Sequence, residues 1–95
     1  MDRLEAMSTL LAVVEAGSLS AASRRLGTPL AMVSRRISEL EAHLGTQLLN
    51  RSSRRLTLTD AGEAYLQACR RILDDVEEAE RVASGEYRAR KGELP

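Results

Sequence analysis

Apolar residues recur at helical spacing through the first half of the chain, in segments separated by glycine. Asp2 and Glu5 form a D-x-x-E capping box, and the apolar residues after it predict a first helix that ends at Gly17. Ser18 is the predicted N-cap of a short second helix that ends at Gly27. The apolar positions expected to be buried are Leu4, Met7, Leu11 and Val14 in the first helix and Leu19, Ala22 and Leu26 in the second.

A third helix is predicted over residues 29–44, with Thr28 as its N-cap, Pro29 at its first position and Gly45 at its end. Only Gly27 and Thr28 separate it from the second helix. Two helices joined by so short a glycine-containing turn are typical of a helix-turn-helix. Its expected buried stripe consists of Val33, Ile37, Leu40 and Leu44.

After Gly45 the apolar period changes from helical spacing to alternation. Residues 48–51 and 55–58 are predicted to be two short strands around the polar residues 52–54. So small a hairpin is not stable alone. We therefore expect the hairpin over residues 48–58, called the wing below, to pack on the three helices.

A long fourth helix is predicted from its N-cap, Thr59, to about residue 83, before Gly85. One set of its apolar residues recurs at alternating spacings of four and three, which is the pattern of a helix that pairs with another helix. Leu66 and Leu73 form a second apolar edge, expected to face the helix's own domain. The pattern predicts a homodimer through the heptad residues Tyr65, Cys69, Ile72, Val76, Ala79 and Ala83.

These elements predict a mostly α fold in 95 residues: a winged helix-turn-helix of three helices and a small β-hairpin, followed by a long dimerisation helix. The expected domains are the winged helix-turn-helix over 1–58, the linker helix over 59–85 and a polar hinge over 86–95. Aromatic residues are 2% of the chain, so the core must be aliphatic, and the base-stacking surfaces of single-strand binders are lacking.

Composition argues against several other classes of protein. One Cys and one His allow neither a disulfide within the chain nor a zinc ligand set, so no metal site is expected. No nucleophile–base set, carboxylate pair or phosphate-binding glycine loop predicts an enzyme. The longest apolar run, residues 10–14, is too short to span a bilayer, and no signal segment opens the chain. We therefore expect a cytoplasmic protein with no membrane partner.

The formal net charge is zero, but the charge is unevenly distributed. Residues 24–55 hold seven Arg and two Glu, a net charge of +5, whereas residues 1–23 carry −2 and residues 56–95 carry −3. Of the 14 basic residues, 13 are Arg, whose planar fork binds phosphate and guanine edges. This distribution predicts that the middle third of the chain contacts double-stranded DNA.

The third helix carries small residues and an arginine opposite its buried stripe. Ala31, Arg35 and Ser38 lie on the far side, and Ser34, Met32 and Arg36 lie on the flanks. Close approach combined with one long donor suits a major groove. A solvated helix face is the alternative, but the short turn before the helix and the wing after it favour DNA.

The other candidate DNA contacts lie on the wing and the second helix. Arg54 at the hairpin turn is a candidate for the minor groove, whereas Arg51 and Arg55 are either phosphate contacts or internal ion-pair partners. Ser18, Ser20 and Arg24 can bind a phosphate at the start and outer face of the second helix. The alternative for Ser18 is a helix cap alone, and the alternative for Arg24 is solvation.

Three segments together resemble the DNA-binding domain of LysR-type transcription regulators. Residues 15–26 are similar to that family's E-x-G-S-x-x-x-A-A-x-x-L segment, residues 33–45 to its recognition helix, and residues 47–62 to its wing and the start of its linker helix. The resemblance extends over residues 2–85. It implies base contacts by Ser34 and Arg35 and a minor-groove contact by Arg54. It also implies contacts at Leu30, Ala31 and Met32, where this chain departs from the family's usual Gln, Pro and small residues and offers methyl groups.

The resemblance also implies a sequence-specific bacterial regulator that dimerises through antiparallel linker helices, forms tetramers in its full-length form and can meet RNA polymerase. It implies a further effector-binding domain of roughly two hundred residues. Residues 92–95 resemble the hinge leading to that domain, so we expect this chain to be part of a longer protein. No cofactor is expected for the chain itself, and a small-molecule effector is expected only for the further domain.

Three alternatives remain open at the level of the sequence. An architectural protein would bind DNA through phosphates alone, without base preference. A winged-helix interaction module would bind protein instead of DNA. A MarR-like regulator would usually place a dimerisation helix before the helix-turn-helix as well.

Overall fold

The computed structural model describes residues 1–50 and 55–85. Four helices and a two-stranded antiparallel sheet occupy these residues, in the predicted order. In chain order the elements are α1 (Arg3–Ala16), α2 (Leu19–Leu26), α3 (Leu30–Leu44), β1 (Leu49–Asn50), β2 (Thr57–Leu58) and α4 (Asp60–Ser84). The predicted mostly α winged helix-turn-helix with a long final helix is thus confirmed.

Helix α1 is central to the core, because it packs against α2, α3 and α4. Leu10 and Val13 of α1 meet Val33 and Ile37 of α3, and all four are fully buried. The caps of α1 are as predicted: the Asp2 carboxylate accepts from the Glu5 N–H at 3.0 Å. This aliphatic core fixes α3 with its buried stripe inward.

The buried face of α1 was predicted only in part, since Leu11 and Val14 pack against the edge of the core. Leu4 is 44% exposed, and Met7, Leu11 and Val14 are only half-buried. The buried positions are instead Ala6, Thr9, Leu10, Ala12 and Val13. Because three helices surround α1, it buries a broad arc centred on Leu10 and Val13 that includes small residues, and the four predicted side chains lie at the margin of that arc.

Helix α3 begins one residue later than predicted, at Leu30, and Pro29 occupies the N-cap position without a side-chain cap bond. Thr28 does not cap α3, since its hydroxyl donates weakly to the Leu26 carbonyl at 3.4 Å. Two predicted core positions at helix ends are also wrong: Leu26 is 39% exposed and Leu44 is 38% exposed. The final turn of each helix extends past the neighbours that would cover it.

The wing strands are shorter than predicted. Among the described residues of the wing, Leu49–Asn50 pairs with Thr57–Leu58, with Leu49 opposite Leu58, and Leu48, Arg55 and Leu56 lie outside the strands. The Asn50 amide donates to the Thr57 hydroxyl at 3.0 Å and to the Leu58 carbonyl at 3.2 Å, which closes the base of the hairpin. The tip of the wing and the predicted hinge, residues 51–54 and 86–95, lie outside the described residues.

Helix α4 extends over 25 residues, about 37 Å at the usual helical rise. It begins after the predicted cap, where the Thr59 hydroxyl accepts from the Gly62 N–H at 2.9 Å, and it ends at Ser84 with Gly85 as its C-cap. Its buried residues, Gly62, Leu66 and Cys69, all belong to its N-terminal half. The C-terminal half therefore adds length to a chain of 57 × 27 × 23 Å without adding to the core.

Within the described part of the chain, no single helix is long and apolar enough to cross a membrane. Helices α1 and α2 meet that requirement only as a pair, bent by 117° at the break between them.

Candidate nucleic-acid interface

Two reciprocal hydrogen bonds between Ser23 of α2 and Thr28 hold the turn between α2 and α3. Gly27 takes a left-handed conformation with φ of 64°, which a side chain would disfavour. The Ser23 hydroxyl donates to the Thr28 carbonyl at 2.6 Å, and the Thr28 N–H donates to the Ser23 carbonyl at 3.1 Å. Together with the buried Ala22 of α2 and Val33 of α3, these bonds fix the two helices relative to each other.

The outward face of α3 has the predicted composition. Ala31, Arg35 and Ser38 are exposed, and Ser34 is half-buried on the flank. Leu30 is 46% exposed and is among the large apolar side chains that the core leaves uncovered. This face offers one long cation among short side chains, which permits close approach to a flat or grooved partner.

A shallow recess of about 200 Å³ opens on this face, lined by Pro29, Ala31, Met32 and Arg35. Its walls are mostly apolar, and Met32 is 44% exposed. A recess of this kind beside a guanidinium can take a methyl group next to a hydrogen-bonding base edge. Of the residues expected from the sequence to make methyl contacts, Ala31 and Met32 line this concave surface.

The outer face of α2 presents polar groups. Ser20 and Arg24 are exposed and lie one turn apart, roughly opposite the buried Ala22. Ser18 is half-buried, and its hydroxyl oxygen accepts from the Ala21 N–H at 3.0 Å. Its role as a cap is therefore established, while its own O–H proton can still be donated to a phosphate oxygen.

Of the three predicted wing contacts, the structure describes one. Arg51 and Arg54 lie outside the described residues. Arg55 is exposed at the start of the returning segment.

Arg36, which follows Arg35, points toward α1. Its guanidinium lies 3.3 Å from the Glu5 carboxylate and donates to the Thr9 hydroxyl at 3.5 Å. The Thr9 hydroxyl in turn donates to the Glu5 carbonyl at 2.8 Å. Sequence analysis placed Arg36 on a flank of α3 without a role. The signal was its helical position, about 60° from the buried Val33, which puts it at the edge of the core.

Glu41 is a second residue that sequence analysis did not single out. It is 9% exposed, and one of its carboxylate oxygens accepts from the Leu48 N–H at 2.8 Å and from the Leu49 N–H at 3.2 Å. Its position was informative, because it lies one turn after Ile37 on the buried side of α3. A carboxylate at such a position predicts nearby backbone donors.

The heptad residues of α4 separate into two groups. Cys69 is fully buried within a single chain, and Tyr65 is half-buried against the same core. Burial raises the pKa of the Cys69 thiol and that of the Tyr65 phenol. The prediction that Cys69 contacts a second chain is therefore wrong, and Tyr65 belongs mainly to its own domain.

The other heptad residues remain accessible on one chain. Ile72 is 38% exposed, Ala79 and Ala83 are exposed, and Val76 is half-buried. Val82, which the heptad pattern did not include, is 47% exposed. An apolar surface thus continues along α4 beyond the part that its own domain covers.

A tightly held two-helix turn, an exposed face of small residues with one arginine, a paired hairpin and a long final helix define the winged helix-turn-helix class of nucleic-acid-binding domains. Comparison with known proteins narrows this class. The family model described as "Bacterial regulatory helix-turn-helix protein, lysR family" matches residues 4–63. The chain belongs to the LysR family, as the sequence resemblance indicated.

Known relatives and a solved structure agree with this assignment. The chain is 48% identical to an HTH-type transcriptional repressor of Pseudomonas aeruginosa (strain UCBPP-PA14), over 90% of this chain and 27% of the repressor. It is 46% identical to the HTH-type transcriptional activator AaeR of Escherichia coli (strain K12), over 82% of this chain and 25% of the activator. The crystal structure of a CbnR_DBD–DNA complex is similar with a TM-score of 0.82 and 36% identity, covering 93% of this chain and 100% of that one.

The chain therefore spans about a quarter of the length of the curated relatives that it matches. Those relatives are transcriptional regulators, and they include both a repressor and an activator.

Proposed function

We propose that this chain is the DNA-binding and dimerising part of a bacterial transcription regulator, and that it recognises a specific sequence in double-stranded DNA. The outward face of α3 is the observation that carries the proposal, because Arg35 projects there among Ala31, Ser34 and Ser38. Helix α3 enters the major groove and the wing enters the adjacent minor groove. The CbnR_DBD–DNA complex, with the same fold at 36% identity, supports this assignment.

In this proposal the side chains of α3, α2 and the wing each contact a different part of the DNA. Arg35 donates to a guanine edge, Ser34 and Ser38 contact neighbouring bases or phosphates, and Leu30, Ala31 and Met32 contact thymine methyl groups. Ser18, Ser20 and Arg24 hold a phosphate at the start and outer face of α2. On the wing, Arg54 enters the minor groove, while Arg51 and Arg55 contact the backbone.

Two copies of the chain act together as a homodimer. The apolar surface of α4 that one chain leaves exposed, centred on Ile72 and Ala79 and extending to Ala83, covers the same surface of a second copy. Helices paired in this way place the two α3 helices in successive major grooves, which requires an operator with two inverted half-sites.

The complete regulator adds functions that this chain does not carry. We propose that the chain has no catalytic activity and needs no cofactor, and that a small-molecule effector binds to a further domain. The full-length protein assembles as a tetramer, meets RNA polymerase at promoters and acts in the cytoplasm, where the bacterial DNA is.

Selection of the purified chain against a random duplex DNA library, at near-physiological salt, tests this proposal. We expect enrichment of an inverted repeat with regularly spaced half-sites. Retention of DNA without a common motif would instead identify an architectural protein that binds phosphates alone. A chain that retains no DNA even at low salt would be an interaction module for protein, and the proposal would be wrong.

A further inference from the structure

The backbone of Leu48 joins three elements of the proposed DNA-binding unit. Its N–H donates to the Glu41 carboxylate of α3 at 2.8 Å. Its carbonyl accepts from the N–H of Thr59, the N-cap of α4, at 2.9 Å. Its side chain is fully buried, and the next residue, Leu49, begins β1. One peptide segment is therefore bonded to the recognition helix, the base of the wing and the long helix.

Further contacts strengthen this junction from both sides. The oxygen of Glu41 that accepts from Leu48 also accepts from the Leu49 N–H at 3.2 Å. From the α4 side, the Thr59 hydroxyl donates to the Gln47 carbonyl at 2.8 Å while it accepts from the Gly62 N–H at 2.9 Å. We call Glu41, residues 47–49, Thr59 and Gly62 the Leu48 junction.

Gly62 shows how closely α4 approaches this segment. A Cβ atom at this position would overlap the Leu48 carbonyl oxygen and would lie 3.0 Å from the Leu58 side chain. The first turn of α4 therefore lies against the backbone at a separation that only glycine permits. The angle at which α4 leaves the domain is fixed by backbone contact as well as by hydrogen bonds.

The buried Glu41 carboxylate supplies the charge-assisted hydrogen bonds of this junction. A carboxylate held by two backbone N–H groups forms hydrogen bonds about twice as strong as neutral ones. Removing it would leave the two N–H groups without that acceptor in a region where Leu48 and Leu49 are both buried. The segment would shift to find other acceptors, and the base of the wing and the start of α4 would shift with it.

We propose that Glu41 and Thr59 are positioning residues that set the distance and angle between the two recognition helices of the dimer, and hence the half-site spacing that the regulator accepts. This inference rests on the proposed function, since α4 must pair two copies for it to matter. In this proposal the Glu41 side chain makes no contact with DNA. It acts by fixing the position of α3 relative to α4. Because α4 pairs the two copies, a fixed angle between α3 and α4 restricts the half-site spacings that the dimer can bind.

The test uses the inverted repeat recovered by selection, in a series whose half-site spacing changes one base pair at a time. The wild-type chain should bind its best spacing roughly tenfold or more tightly than the neighbouring spacings. Glu41→Ala should reduce that ratio to about threefold or less. Glu41→Gln retains an acceptor oxygen and should preserve most of the ratio. Glu39→Ala is the matched control, because it removes an exposed carboxylate from the same helix.

The spacing ratio separates positioning from a general structural role. Loss of stability alone lowers the affinity for every spacing equally and leaves the ratio unchanged, so a folded Glu41→Ala protein with the wild-type ratio would overturn the proposal. If the wild-type chain itself selects no inverted repeat, it is the proposed function that has failed instead.

Thr59→Ala keeps the proposal testable if Glu41→Ala does not fold. It removes the hydroxyl that bonds to Gln47, and Asp2→Ala is its control, because Asp2 caps α1 in the same way at a distance from the junction. We expect Thr59→Ala to broaden the accepted spacings and Asp2→Ala to leave them unchanged. Equal spacing ratios in these two variants would contradict the inference.

Discussion

Helices α3 and α4 are both amphipathic, but their own domain covers them to different extents. The buried residues of α3, from Val33 to Glu41, span most of the helix, whereas those of α4 end at Cys69, well before the helix ends at Ser84. The exposed side of α3 carries Ala31, Arg35 and Ser38, with large apolar side chains at its two ends, Leu30 and Leu44. The exposed side of α4 retains apolar residues such as Ile72 and Val82.

The difference indicates two kinds of partner. A helix held along its length keeps its outward face in a fixed position, which suits contact with a partner of regular shape such as duplex DNA. A helix that is fully buried only in its first half and still apolar beyond that point gains most by burying the remainder against another copy of itself. A substitution on the exposed surface of α4 should therefore affect dimerisation, and a substitution on the outward face of α3 should affect base preference.

Ile72→Asp tests whether the exposed apolar surface of α4 pairs two chains. Burying an unpaired carboxylate should weaken dimerisation by about 3 kcal/mol, roughly a hundredfold in the dissociation constant. Analytical ultracentrifugation measures this change. Gln67→Asp introduces the same charge at an exposed position on another side of α4, and it should leave the dimer unchanged. An intact dimer in Ile72→Asp would place the interface elsewhere.

Arg35→Ala tests the outward face of α3. It should cost about 1–3 kcal/mol on the selected operator and relax the preference at one base pair, measured by binding to a series of mutated operators. Arg36→Ala removes the same charge from the neighbouring position, where the guanidinium pairs with Glu5. That variant should lose no more than about 1 kcal/mol of stability and keep the base preference. Equal loss of base preference in both variants would show that charge alone is recognised.

Two substitutions of Ser18 separate its role as a cap from its proposed role as a phosphate ligand. Ser18→Ala should lower the free energy of unfolding by about 1 kcal/mol, because the Ala21 N–H loses its acceptor. Ser18→Asp restores that acceptor but places a negative charge near the DNA, so it should be the more stable variant and the weaker DNA binder. If Ser18→Asp bound DNA as tightly as wild type, the hydroxyl would be a cap only.

The buried thiol of Cys69 gives the smallest expected effect, visible only at alkaline pH. Burial raises its pKa above the ordinary value of 9.0, so the unfolded chain releases the proton at a lower pH than the folded chain. The stability contributed by this group is fully present below pH 9 and is lost as the pH rises through the folded pKa. Urea unfolding at pH 8 and pH 9.5 should show a steeper loss in wild type than in Cys69→Ala. Equal losses would mean that the thiol is exposed.

Burial was predicted correctly where a helix meets the core along one side and incorrectly where other helices surround it. The stripe Val33, Ile37 and Leu40 was correct because α3 meets the core along a single side. On α1 the pattern predicted burial of large side chains such as Leu4. The three helices packed around α1 approach it closely, and they bury the small residues Ala6 and Thr9 instead. On α4 a single heptad pattern ran from Tyr65 to Ala83, although its own domain buries the first two positions fully or in part.

The sequence by itself determined the order of the elements, most of their caps and ends, and the face that α3 presents. Asp2, Ser18 and Thr59 cap their helices through hydrogen bonds spanning three residues, and Gly27 and Gly45 end theirs by local backbone conformation. Such interactions form between residues that are close in the chain, and they do not depend on the packing of the other elements. Only the tertiary structure decided that Arg36 turns toward α1, that Cys69 belongs to the core, and that Glu41 bonds to the segment that leads into the wing. Those contacts join residues on different elements, and their energy depends on which surfaces the packed helices leave accessible.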